Sequence, residues 1–116
     1  SPLCGCAIAS SIGSSSGIAY LLGGGLKEIQ YAIQNMISDI SGLICDGAKA
    51  SCALKIASSL ASAIQCAQLA MAGVSATKLD GIIDEDAEDS IRNLANLGSA
   101  GMDQTDRVIL DMMIAK

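Results

Sequence analysis

Leu26-Lys27-Glu28-Ile29-Gln30-Tyr31-Ala32-Ile33-Gln34-Asn35-Met36-Ile37-Ser38-Asp39-Ile40 is the stretch that decides the fold. Leu26, Ile29, Ile33, Met36, Ile37 and Ile40 recur at helical spacing, which keeps large apolar side chains on one face of an α-helix. A strand would need strict alternation, and there is none. The period predicts a helix over 26–44, with Lys27, Glu28, Gln30 and Gln34 on its solvent face.

Working outward, Gly23-Gly24-Gly25 ends a preceding helix over 7–22. Ile8, Ile12, Ala19 and Leu22 are its candidate core contacts. Gly13 and Gly17 lie four residues apart on one face, and glycine costs about 1 kcal/mol relative to alanine inside a helix. Their simplest explanation is a closely packed neighbouring backbone. The glycine triplet has no strand before it and no Lys-Ser/Thr after it, so it is a poor phosphate loop. On the other side, Gly42 loosens the chain, and a third helix is expected over 48–71 with Ile56, Leu60, Ile64, Ala67 and Met71 as its apolar stripe. Residues 73–84 read as a connection. The run Asp84-Glu85-Asp86-Ala87-Glu88-Asp89 then places carboxylates in the first turns of a helix over 86–97, where they oppose the positive end of its dipole. That accounts for the acidic run without a metal, and EF-hand spacing is lacking. Gly98 and Gly101 stop this helix. A last one begins at Asp103, an N-cap residue type, and runs to Ile114 with Val108, Ile109, Met112 and Met113 inward. The expected architecture is all-α: a single compact domain over 1–116, of about five helices.

Composition bounds the function. Hydrophobic residues make up 51 % of the 116, yet Trp and Phe are absent and Tyr20 and Tyr31 are the only aromatics. Such a core must be built from small and aliphatic side chains. Lacking the aromatic contact area usual in cores, and opening on Ser1, the chain reads as the inner fragment of a larger protein. A net charge of −5 with scattered basic residues excludes a phosphate-neutralising nucleic-acid surface. The uncharged run Ser1–Leu26 is diluted by serines and glycines, so it reads as a buried helix rather than a membrane span. No secretory signal is recognisable, and five cysteines read as reduced thiols in a cytoplasm.

No histidine is present, which removes Ser-His, Cys-His and His-metal chemistry and leaves sulfur or carboxylate for any metal. The segment Gly42-Leu43-Ile44-Cys45-Asp46-Gly47-Ala48-Lys49-Ala50-Ser51-Cys52-Ala53-Leu54-Lys55 concentrates thiols, glycines and positive charge. On one unbroken helix, Cys45 and Cys52 would be separated by roughly 10 Å along the axis, too far for one compact centre. A break near Gly47 would let their sulfurs converge beside a helix N-terminus. With Cys4 and Cys6, three or four thiolates could then meet. Thiolates suit zinc or an iron-sulfur cluster, and spacing alone names neither. Cys66 reads as a buried small hydrophobe.

Taken together, Cys4-Gly5-Cys6-Ala7-Ile8-Ala9, Gly17-Ile18-Ala19-Tyr20-Leu21-Leu22-Gly23-Gly24, Asn35-Met36-Ile37, Ser41 to Lys49, Cys52-Ala53-Leu54-Lys55, Ile91-Arg92-Asn93-Leu94, and Gly101-Met102 with Thr105-Asp106-Arg107 resemble the C-terminal part of the L-serine dehydratase alpha-chain-like proteins. Within that group they are most similar to the branch of L-cysteine desulfidase and its uncharacterised relatives. The resemblance spans the chain. It implies a fragment of an iron-sulfur lyase several times longer, whose 4Fe-4S cluster is held by three cysteines with one iron open as a Lewis acid. Loss of the β-substituent then gives an enamine that hydrolyses to pyruvate and ammonia, with sulfide leaving from cysteine or water from serine. Carried over, Cys45 and Cys52 are ligands and the third is Cys4, with Cys6 as its alternative. Asp46, Gly47 and Lys49 fall near the cluster. Residues that bind the small amino-acid substrate and abstract its proton lie mostly upstream, so the fragment alone is expected to be inactive. Oligomeric state is left open, with a homo-oligomer as an option. Two other readings compete: a helical structural or interaction module with buried free thiols, and a pyridoxal-phosphate enzyme using Lys49 or Lys55. Nothing resembling that cofactor's phosphate site supports the latter.

Overall fold

The computed structural model describes residues 2–116. The chain is all-α: α1 (Gly5–Leu21), α2 (Leu26–Ile40), α3 (Cys52–Met71), α4 (Ala87–Asn96), a π-helical turn (Leu97–Gly101) and α5 (Asp103–Ile114). The first three helices pack against one another in all pairings, α4 lies on α2, and α5 reaches the other helices through the π-helical turn.

The sequence predicts α2 well. Met36, Ile37 and Ile40 are buried, and with Ile8, Ala63, Cys66, Ile83 and Leu94 they form the main core. The helix ends at Ile40 rather than at residue 44, and Leu26 is exposed. Gln34, expected on the solvent face, is instead buried, and its Nε2 donates to Asp84 O at 2.9 Å. Its neighbour Asn35 ties α2 to the end of α3. Asn35 Nδ2 donates to Cys66 O (3.3 Å) and Val74 O (2.9 Å), while its Oδ1 accepts from Ala76 N (2.8 Å).

The other two long helices match the expected faces in part: Ile8 and Ala19 of α1 and Ala67 of α3 are buried as expected and Ile12 packs on the core, but Leu22 and most of the α3 stripe face outward. On α3, Ile56, Leu60 and Ile64 are 46 %, 49 % and 43 % exposed, and Ser59, Ala63, Cys66, Ala67 and Ala70 are buried. On α1 the buried residues are Ala7, Ile8, Ser11, Ser15 and Ala19, whereas Leu22 is exposed. The seam is made of small side chains because the helices approach closely, and Ser15 Oγ donates across it to Ala63 O at 2.8 Å. Small residues cost little side-chain entropy when buried, and a hydroxyl there satisfies itself on a carbonyl. Gly13 and Gly17 do not serve that approach: both are exposed, and a Cβ at either would meet no atom within 4 Å. The close contact falls at Gly24, where a Cβ would stand 2.8 Å from Ala19 O and 2.9 Å from Met71 Sδ. The triplet does end α1, with Gly23 at φ +95°.

Asp86 caps α4 by accepting from Asp89 N at 2.8 Å, and Glu88 and Asp89 occupy its first turn. Gly98 and Gly101 do not stop the chain at residue 97; they lie in the π-helical turn that follows α4. Asp103 is the first residue of α5, not its cap, and pairs with Arg107 at 3.1 Å. No α5 residue is buried: Val108, Met112 and Met113 are exposed and Ile109 half-buried, contrary to the expected inward stripe. Among the described residues, no helix is long and apolar enough to cross a membrane.

Candidate functional site

Residues 41–51 join α2 to α3 without helix, so the break required between Cys45 and Cys52 is present and wider than a kink. Gly47 lies in it at φ +97°, a left-handed conformation that L side chains avoid. Two anchors hold this segment. On one side Leu3 and Ile44 form an isolated antiparallel bridge, flanked by Cys4 N–H donating to Leu43 O (2.9 Å) and Cys45 N–H donating to Pro2 O (2.6 Å). That pairing sets Cys4 opposite Leu43 and Cys45 opposite Pro2, so the two cysteines lie diagonally on either side of the bridge. On the other side Lys55 Nζ donates to Ile44 O and to Asp46 Oδ1, both at 2.8 Å.

Cys52 opens α3. Its Sγ donates to Gly47 O (3.6 Å) and accepts from Lys49 N–H (3.5 Å), so the sulfur sits among backbone groups of the loop. Lys55 follows one turn later. Its pKa is raised, chiefly by the hydrogen bond to Asp46, against an opposing contribution from burial. The charges of Asp46, Cys4 and Cys52 add to the rise. The same hydrogen bond, with the charge of Lys55, lowers the pKa of Asp46. Cys4, Cys45 and Cys52 therefore lie on adjoining segments, with Lys55 bonded on either side of Cys45. Cys4 is buried at the N-terminus of α1, and Cys45 and Cys52 are half-buried. Cys6 is exposed on the first turn of α1. Lys49 is exposed.

All the candidate donors are thiols, with no imidazole anywhere in the chain, a set that suits soft-metal or iron-sulfur chemistry. They are neighbours but not a closed set: among the described residues, no three Cys, Asp or Glu side chains lie close enough together to hold a metal ion. Cys52 Sγ is turned onto Gly47 O, so bringing it toward the other sulfurs requires that contact to be released.

Cys66 lies elsewhere. It is buried in the core beside Asp39, its Sγ donating to Asp39 Oδ2 at 3.8 Å. Burial first, then the neighbouring carboxylate, pushes its thiol up to about 11.

Three features of the site escape sequence reasoning. The Leu3–Ile44 pairing is a single bridge and leaves no alternating pattern to read. Lys55 is named by the sequence as part of the thiol-rich segment and as a Schiff-base candidate, but its bonds on either side of Cys45 leave no signal there. Met113 stands over Gly47, where a Cβ would lie 2.7 Å from its Cε. Sixty-six positions separate these two residues, and no local signal links them.

Comparison with known proteins agrees over the whole chain. The family model described as serine dehydratase alpha chain matches residues 1–111. A UPF0597 protein of Bacteroides fragilis is 52 % identical over all 116 residues, and a UPF0597 protein of Clostridium perfringens is 54 % identical over the same span. A UPF0597 protein of Clostridium tetani is 48 % identical over 114 residues. In each case the match covers 27 % of the relative, so the chain spans about a quarter of the length of these proteins. No solved structure matches the chain.

Proposed function

Because the chain belongs to the serine dehydratase alpha chain family, we propose that it is the thiol-bearing part of a longer amino-acid lyase, one that eliminates the β-substituent of L-cysteine or L-serine. The observation that carries this reading is that Cys4, Cys45 and Cys52 lie on adjoining segments, tied by the Leu3–Ile44 bridge and by the bonds of Lys55 to Ile44 and Asp46. In this proposal Cys4, Cys45 and Cys52 hold a 4Fe-4S cluster. Cys6 is the alternative to Cys4, and its exposure on α1, away from the Leu3–Ile44 pairing, weighs against it. When bound, the cluster supplies an open iron as Lewis acid.

This chain's own residues would provide the three thiolates, the ion pair beside them and an apolar wall. The wall is a groove of about 400 Å³ between α1 and α4, running from Leu3 and Cys4 past Ile8 to Leu94. Its apolar lining would limit water near the thiols. Substrate binding and proton abstraction belong to residues outside the chain in this reading, and the protein acts in the cytoplasm.

Anaerobic reconstitution of the full-length protein with iron and sulfide, followed by metal analysis and assays with both amino acids, tests the proposal. The expected result is bound iron, a broad thiolate-to-iron absorption, and sulfide or ammonia release. Protein that stays iron-free under these conditions overturns it.

One observation favours a second reading, a helical interaction module with free thiols: among the described residues, no three Cys, Asp or Glu side chains lie close enough together to hold a metal ion. That module would keep its function with Cys45→Ser and Cys52→Ser combined, whereas the lyase would lose all activity.

A further inference from the structure

We infer that Lys55 is the positioning residue of the thiol site, fixing Cys45 relative to Cys52. The inference rests on the reading above that these thiols act together, and it adds a residue which that reading leaves without a role.

Between Ile40 and Cys52 the chain has no helix and buries no side chain, and Asp46, Ala48, Lys49, Ala50 and Ser51 are exposed. A segment whose packing is limited to Leu43 against the core and Met113 over Gly47 opens easily. It keeps one geometry only if specific polar contacts hold it. Lys55 supplies two of them from a rigid base, since it sits on the first turn of α3, three residues after Cys52.

Its two acceptors are Ile44 O and Asp46 Oδ1, the residues on either side of Cys45. The side chain thus straddles Cys45 and ties it to the helix that carries Cys52. Both bonds are charge-assisted, the stronger class. Lys55 is itself only 22 % exposed, whereas Asp46 is 53 % exposed, so the anchor is the better-sheltered member of the pair.

The test uses the full-length protein with Lys55→Met, Lys55→Arg and Asp46→Asn. One readout needs no metal: the rate at which dibromobimane bridges Cys45 and Cys52, located by peptide mapping. The other is iron retained after anaerobic reconstitution. Lys55→Met is expected to change the bridging rate and weaken iron retention, each by about tenfold, the scale of one lost charge-assisted contact. Lys55→Arg, which keeps the charge and the donors, should stay within about threefold of wild type on the same scale. Asp46→Asn, which leaves the bond to Ile44 O in place, should fall between them. Circular dichroism checks folding, and if Lys55→Met does not fold, Asp46→Asn decides by the same two measurements.

Wild-type bridging and iron retention in Lys55→Met, or equal losses in the Arg and Met variants, overturn the positioning role while leaving the cluster proposal standing. An iron-free wild type overturns the cluster proposal, and the bridging rates still decide the role of Lys55.

Discussion

Helix α3 carries a cysteine near each end, and the two have opposite surroundings. Cys52 and Cys66 are fourteen residues apart, about 21 Å along the axis. Cys66 is 4 % exposed, sits among the core side chains and faces a carboxylate. Cys52 is half-buried, faces backbone groups of an irregular loop and precedes Lys55 by one turn. The neighbours, not the residue type, separate a thiol that fills space from one available for chemistry. The difference extends to how each end is built: the Cys66 end is held by packing and buried hydrogen bonds, the Cys52 end by a bridge, an ion pair and a methionine laid over a glycine.

The strongest way to break this contrast is Asn35→Ala, which attacks the packed end alone. It strips Val74 O and Ala76 N of buried partners and weakens the hold on Cys66 O. A loss of about 2 kcal/mol in urea unfolding is expected, since two part-buried hydrogen bonds and one longer buried one are lost at about 0.5–1.5 kcal/mol each. Under conditions where the variant is still folded, the alkylation rate of Cys52 should match wild type. A changed rate would show that the two ends are coupled and the contrast false.

That contrast also explains which parts of the structure were legible in the sequence. Helix α2 announces itself because Met36, Ile37 and Ile40 are large, buried and periodic. Helices α1 and α3 are legible as helices, and Ile8, Ala19 and Ala67 face inward as the period predicts, but Leu22 and most of the α3 stripe do not. A hydrophobic period rewards Ile56, Leu60 and Ile64, whereas helices that approach closely bury Ser59, Ala63 and Ala70. In such a seam the largest residues are excluded by volume, so the loudest signal points outward. At the thiol end, the axial separation of Cys45 and Cys52 was enough to demand a break, and the break is there. The anchors of the loop were not legible, because a lone bridge, a lysine and a distant methionine have no period.

A smaller effect sharpens the description of the thiol end. Gly47→Ala must place an L residue at φ +97° and bring its Cβ to 2.7 Å from Met113 Cε. The backbone part costs about 1–2 kcal/mol. Because Met113 is the flexible end of an exposed helix, the steric part should be relieved by Met113→Ala. Gly47→Ala combined with Met113→Ala is expected to be less destabilised than the sum of the two single variants, by about 0.5 kcal/mol or more. Strict additivity in a double-mutant cycle would mean that α5 does not rest on the loop in solution.

The smallest effect is confined to alkaline pH and tests the packed end from its chemistry. Cys66 has its thiol pKa raised from 9.0 to about 11, by burial and then by Asp39. Between those values the unfolded chain has released the proton and the native state still holds it, so the native state binds more protons. Stability must therefore fall as pH rises through this window. The contribution is fully present below about 9 and is lost as pH passes 11. Cys66→Ser keeps a donor opposite Asp39 and removes the ionisation, which isolates this contribution from the lysines and tyrosines that titrate nearby. The stability of wild type relative to Cys66→Ser, followed by urea unfolding at a series of pH values, should be constant up to pH 8 and then decline. A flat difference up to pH 11 would mean that Cys66 ionises as easily in the native state as in the unfolded one. Cys66 would then not be sealed in the core, and nothing in its surroundings would set it apart from Cys52.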